Sequence, residues 1–364
     1  MKIIRTVLSI VAVTFLVYRT EALPRFATMM NFKCADCHID PNGGGMRNYY
    51  GAVMFARETL PTHFWEQDST FANFTPKLND FISFGTDMQT IFYYLTNGHN
   101  SSFYQMIGDI YLSARLSKNV LLYFNKRLSN PIDQFSDFDV FGIANVLPAN
   151  GYVKVGRFTP AYGTRIDDHT TYIRTKTVFP YFHRDDTGIE LGISPQSLAW
   201  NVGVYNGENG QDPSNGYVRL VTSRAEMNLR TGSLNYSFGG SVWYNNGIAG
   251  NLLMYDGFAG IAFDKFTVNG EIDIKRDTAV ISTNQFISYL EINYLLIDGV
   301  DLKFIYDYYR PDVRSSDAVE TRYSFGIEFF PVTGVELRPI YRIGGTALTG
   351  GKSNEFDLLM HLFL

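Results

Sequence analysis

Cysteine is scarce in this sequence: 364 residues hold two, Cys34 and Cys37. A disulfide framework is therefore excluded. Beyond its opening residues the chain also lacks any run of about 18 apolar positions, which excludes a transmembrane helix in the mature protein. Excess basic charge is missing as well. There are 31 Lys and Arg against 36 Asp and Glu, for a formal net charge of −5. No basic stripe points to nucleic acid, and no such partner is expected.

What the chain does hold is 24 Tyr, 29 Phe and 32 Gly. It opens with Lys2 and Arg5, a mostly apolar stretch from Val7 to Tyr18, and Thr20-Glu21-Ala22. That order reads as a signal peptide over residues 1–22 with cleavage after Ala22, because the apolar stretch is too short to span a bilayer. Export is expected.

From residue 79 onward the periodicity is two. In "AVETRYSFGIEFF", Tyr323, Phe325, Ile327 and Phe329 fall on one face, with Glu320, Arg322, Ser324 and Glu328 on the other. Ile272 and Ile274 alternate with Glu271, Asp273 and Lys275, and Leu337, Tyr341 and Ile343 with Glu336, Arg338 and Arg342. Such alternation makes strands with one apolar and one charged face, as in a soluble sandwich or a membrane barrel. The segments are long, and turns alternate between short ("LSKN", "LPANG", "IDGV", "PVTG") and long ("LSNPIDQFSD", "GENGQDPSNG", "RPDVRSSDAV"). The chain ends on an alternating strand, "EFDLLMHLFL". These features predict an all-β fold over 79–364, a transmembrane antiparallel β-barrel of about 16 strands contacting outer-membrane lipid.

The two cysteines lie in Cys34-Ala35-Asp36-Cys37-His38. C-x-x-C-H reads as covalent attachment of one haem c, the thiols adding to the porphyrin and His38 serving as the proximal iron ligand. A zinc site would need further ligands, and a redox dithiol would want a βαβ context. Residues 23–78 are too few for a self-sufficient core, so a haem-bearing plug inside the barrel is expected. After the turn "PNGGGM", a helix is predicted with Tyr49, Val53, Ala56 and Leu60 on one face and Pro61 at its end.

The stretch "ALPRFATMMNFKCADCH", through Ala22, Pro24, Phe26, Ala27, Cys34, Cys37 and His38, resembles the opening of the fused monohaem cytochrome–porin family, outer-membrane iron oxidases of neutrophilic and acidophilic bacteria. Residues 28–31 read Thr-Met-Met-Asn where that family has Arg-Gln-Thr-Gly. The resemblance implies electron transfer across the outer membrane, with ferrous iron as extracellular donor and a periplasmic c-type cytochrome as partner. A diffusion porin with a structural or gating haem, and an outward conduit for metal reduction, use the same parts.

Candidates for the second iron ligand are Met46, His63 and Met54. The segment 159–188 is the longest stretch without alternation and, by strand parity, an outer loop. Asp167, Asp168 and His169 within it suit ferrous iron, and the same charges suit an ion-paired loop folded into the lumen.

Overall fold

The computed structural model describes residues 24–62, 64, 73, 75–97, 99–128, 138–177, 185–207, 219–247, 250–278, 283–314, 319–344 and 354–364. The expected signal peptide, His63, and His183 and Arg184 of the long loop lie outside these residues.

Sixteen strands follow the sequence pattern: β1 (Ile82–Leu95), β2 (Asn100–Arg115), β3 (Val120–Arg127), β4 (Phe138–Leu147), β5 (Gly151–Phe158), β6 (Asp186–Ile193), β7 (Leu198–Tyr205) and β8 (Arg219–Thr231). They continue as β9 (Leu234–Asn246), β10 (Asn251–Phe263), β11 (Phe266–Asp277), β12 (Thr283–Ile297), β13 (Val300–Arg310), β14 (Glu320–Phe329), β15 (Val335–Ile343) and β16 (Glu355–Phe363). Each pairs antiparallel with its neighbours in the chain, and β16 returns to β1, Asp87 opposite Phe363. Closure leaves no strand edge, which a bilayer demands because it offers backbone groups no other partner.

The alternation is resolved as apolar outside and charged inside. Phe325 is 50% exposed, while Ser324 beside it and Arg322 on the same inner face are 1% and 0%. Aromatic pairs sit on the outer face near both ends, Phe92 with Phe103 at 5.1 Å and Phe266 with Tyr294 at 4.7 Å between ring centres, as in the girdles of membrane barrels. The wall is that of an outer-membrane β-barrel. Turns such as 116–119, 232–233 and 264–265 define the short end, periplasmic by the usual asymmetry.

The N-terminal segment lies in the lumen. Helix α1 (Pro24–Met30) packs on β9, β10 and β11. Arg25 forms ion pairs with Glu328 of β14 and, at 3.3 Å, with Asp301 of β13. The loop after β5 also folds inward, its short helix α3 (Tyr172–Thr175) resting on β12 and β13.

The helix after the glycine turn departs from its expected face. Residues Tyr50–Phe55 are π-helical and run into one α turn, α2 (Ala56–Glu58). The Ala56 N–H bonds the Gly51 carbonyl, and the wider turn rotates the buried side. Gly51, Ala52, Phe55, Ala56 and Leu60 are buried, while Tyr49 is exposed. The cause is at Gly51, where an added Cβ would lie 2.3 Å from the Cys37 carbonyl oxygen. Gly51→Ala is therefore expected to cost the plug about 1–3 kcal/mol through overpacking. Limited proteolysis should show residues 24–62 cut faster while the barrel stays heat-modifiable; unchanged protection would mean the π turn has another origin.

Candidate haem-binding site in the lumen

The C-x-x-C-H stretch folds as a single 3₁₀ turn, Cys34–Asp36, with the His38 N–H bonded to the Cys34 carbonyl at 2.9 Å. A residue absent from the sequence reading holds it closed. Asn48 Nδ2 donates to the carbonyls of Ala35 (3.2 Å) and Asp36 (3.0 Å), while its backbone N–H reaches the Cys37 carbonyl at 2.9 Å. Only the local motif was legible beforehand; a clamp from ten residues downstream carries no signature.

Gly43, Gly44 and Gly45 all take left-handed backbone, φ +81°, +73° and +61°. That conformation suits glycine alone among common residues. It also brings the chain against Cys34, since a Cβ on Gly43 would sit 3.1 Å from the Cys34 Sγ. From the inward loop, Arg165 donates to the Gly43 carbonyl and, at 3.2 Å, to that of Thr159.

Wall residues seat this turn by matched polar contacts. Lys154 of β5, 0% exposed, donates to both oxygens of Asp40 (2.9 and 3.1 Å). Glu190 of β6 accepts from Asn42 Nδ2 at 2.8 and 2.9 Å. Lys33 reaches the carbonyl and hydroxyl of Ser194, in the short turn after β6. The motif therefore lies toward the short-turn end of the barrel.

Two cavities flank the motif, about 130 Å³ and 60 Å³, and His38 lines both. The larger has an apolar side made by Phe26, Phe55, Leu60, Phe330 and Phe363. Cys34 lines the smaller.

No disulfide joins Cys34 to Cys37. The Cys34 thiol is pushed up to about 11, by burial first and Glu226 next. A redox dithiol would want the opposite shift, toward thiolate. Cys34 presents its thiol to the smaller cavity and His38 its imidazole to both. Cys37, 1% exposed, lines neither cavity.

Of the three candidates for the second face of the iron, two lie among the described residues, Met46 and Met54. Met46 is 1% exposed within an aromatic cluster containing Tyr111, Tyr123 and Phe141, its backbone N–H on the Tyr123 hydroxyl at 3.2 Å. It lines neither cavity, and neither does Met54, which is half-exposed. Instead, His169 and His361 share the lining of the larger cavity with His38.

His361 is held at both ring nitrogens, by Asp87 at 2.6 Å and Glu336 at 2.8 Å. At His169, Nδ1 meets the Arg174 guanidinium at 3.1 Å, and burial, with Arg174 next, keeps the ring well below 6.5 and neutral. With Nδ1 accepting, the ring proton belongs on Nε2.

Asp167, Asp168 and His169 do not converge on one point. Asp167 pairs with Arg338 at 2.7 Å and Asp168 with Arg342 at 2.9 Å. The arrangement is the ion-paired inward loop, whose backbone is further bound by Asp307 at the Tyr172 N–H (2.9 Å) and Arg322 at the Thr170 carbonyl (2.7 Å).

No protein-family model and no characterised protein matches the sequence. Solved structures do match the fold. OmpT of Vibrio cholerae in its trimer form superposes with a TM-score of 0.58 at 12% identity, over 78% of this chain and 99% of that one. The anion-selective porin of Comamonas acidovorans gives 0.54 at 10% identity, over 78% and 99%. OmpF of Salmonella typhi, in complex with daunomycin, gives 0.53 at 10%, over 78% and 97%. This chain therefore has the fold of outer-membrane porin-type barrels.

The Asp40–Lys154 pair yields a pH prediction. Burial acts to raise the Asp40 carboxyl, but Lys154 and Arg165 outweigh it, so the group sits below the ordinary 3.8. A depressed carboxylate stabilises the fold above its unfolded value, and that stabilisation is lost as pH falls through the folded value. Hydrogen exchange of residues 24–62 should thus stay slow from neutrality down to about 3.8 and accelerate below it. Asp40→Asn should weaken plug seating at neutral pH by about 1.5–3 kcal/mol, the worth of a charge-assisted hydrogen bond, since Lys154 keeps Glu190 at 3.5 Å. Loss of protection already at mildly acid pH in the native chain would show that another group governs seating.

Proposed function

We propose that the chain is an outer-membrane cytochrome–porin, passing electrons between an extracellular donor, ferrous iron by resemblance, and a periplasmic c-type cytochrome. What supports this most is a C-x-x-C-H motif carried inside a barrel lumen, with its histidine lining two cavities. Cys34 and Cys37 would anchor the haem and His38 would ligate its iron. A haem bound there supplies reversible one-electron chemistry.

The chain's own residues do the rest. Asn48 and the three glycines fix the backbone of the motif, while Lys154, Glu190 and Arg25 hold the plug to the wall. Phe26, Phe55 and Phe363 give the larger cavity a low-polarity side. Arg165 ties the inward loop over the glycine turn, limiting water from the outer mouth. Proximity of Lys33 to a short turn suits exchange with a periplasmic partner. No side chain is required as acid or base, and direction is left to the potentials of the partners, so an outward conduit uses the same parts.

Likeness of the wall to porins favours a second reading, a diffusion porin whose plug is structural or gating. Two measurements separate them. Intact mass of the mature chain should show one added haem, missing in Cys34→Ala/Cys37→Ala; a native chain without that increment overturns the proposal. In planar bilayers the native chain should conduct little, because plug and loop occupy the lumen, and removal of residues 24–62 should raise conductance. Large steady conductance of the native chain would support the diffusion porin.

A further inference from the structure

Among the described residues, the lumen holds two clusters of three carboxylates whose oxygens lie within 4.8 Å of one another: Asp167, Glu328 and Glu336, and Asp256, Glu271 and Asp273. Their charge balance is opposite. In the first, Arg338 meets all three residues at 2.7–3.7 Å, and Arg25, Lys303 and His361 add further positive partners. In the second, none of the ion pairs among the described residues includes a member. Arg224 on β8 is committed to Glu226 at 2.7 Å and to the Gly163 carbonyl at 2.7 Å.

Strand register makes this arrangement costly. Asp256 of β10 stands directly opposite Asp273 of β11, and Glu271 lies two residues before Asp273 on the same face. Like charges directly opposite each other on a sheet repel. Asp273 is 0% exposed; its Oδ1 accepts from the Tyr162 hydroxyl at 2.9 Å, and its Oδ2 has no hydrogen-bond partner.

From this we infer a binding site for a hard divalent cation at Asp256, Glu271 and Asp273. An all-oxygen set with three negative charges suits calcium, magnesium or manganese rather than a softer metal. The site would also pin the inward loop, because that loop is bonded to the same carboxylates. Tyr162 donates to Asp273, and the Thr164 N–H donates to Glu271 at 2.7 Å. Gly163 between them admits no side chain, since a Cβ would come 2.4 Å from a Glu271 oxygen. Neutralising the trio therefore fastens the loop to β10 and β11 at mid-height in the barrel. The inference is independent of the haem.

The test uses the full barrel in detergent, stripped with chelator and titrated with manganese near neutral pH, free manganese being read by paramagnetic resonance. One ion per chain is expected, displaced by calcium, with affinity lowered at least about tenfold in Asp273→Asn and in Asp256→Asn. Hydrogen exchange at residues 162–174 should slow on adding the ion in the native chain and not in these variants. The same binding should persist in Cys34→Ala/Cys37→Ala, so failure of the haem proposal leaves it standing. Absence of stoichiometric binding, or variants that bind as tightly as the native chain, overturns the inference. So does a trio that holds protons instead: no ion bound, and Asp273→Asn more heat-stable whether or not manganese is present.

Discussion

The guanidinium of Arg25, one residue into α1, lies between Asp301 of β13 and Glu328 of β14, and all three side chains are almost fully buried. The wall puts its apolar side chains into lipid, so its charged ones must face inward. Buried there, they need partners. The wall supplies some itself, as in Arg342 with Asp357 (2.6 Å) and Arg322 with Asp307 (2.7 Å). The inserted segments supply others: Arg25 and Asp40 from the plug, Asp167 and Asp168 from the loop. Plug, loop and wall are thus one electrostatic structure, and the C-x-x-C-H motif is held by the contacts that neutralise the lumen.

That dependence shapes the candidate site. The motif lies near the short turns because Lys33 and Asp40 find their partners on β5 and in the turn after β6. Its outer side is covered because Arg165 enters on a loop whose other charges are fixed to Arg338 and Arg342. His361, which lines the larger cavity with His38, is drawn into a two-carboxylate bridge by the same charge matching.

Much of the wall was legible in the sequence, since each strand carries its own period of two and the turns between strands alternate in length. The strand from Leu234 to Asn246 and that from Asn251 to Phe263 begin and end where the alternation does. The C-x-x-C-H motif was legible because its spacing is local. Contacts that need the closed barrel were not. Met46, adjacent to the glycine turn, is one of three candidate iron ligands in the sequence, and only the closed barrel places it among the tyrosines of β2 and β3. The helix after it reads as α until Gly51 meets the Cys37 carbonyl. Asp256 and Asp273 become neighbours only through register. The inward fold of residues 159–177 depends on cations from β14 and β15 that no local pattern announces.

As proposed, this lumen would carry electrons while excluding solutes, a combination open to measurement. It is tested most directly in sealed vesicles containing the purified protein, with oxidised periplasmic-type cytochrome c and a small fluorescent anion trapped inside. Ferrous iron is then added outside together with an impermeant chelator for the ferric product. The account predicts prompt reduction of the trapped cytochrome with the anion retained, and neither reduction nor leakage in vesicles bearing Cys34→Ala/Cys37→Ala. Absence of reduction by the native protein, or reduction that appears only as the anion escapes, would contradict it.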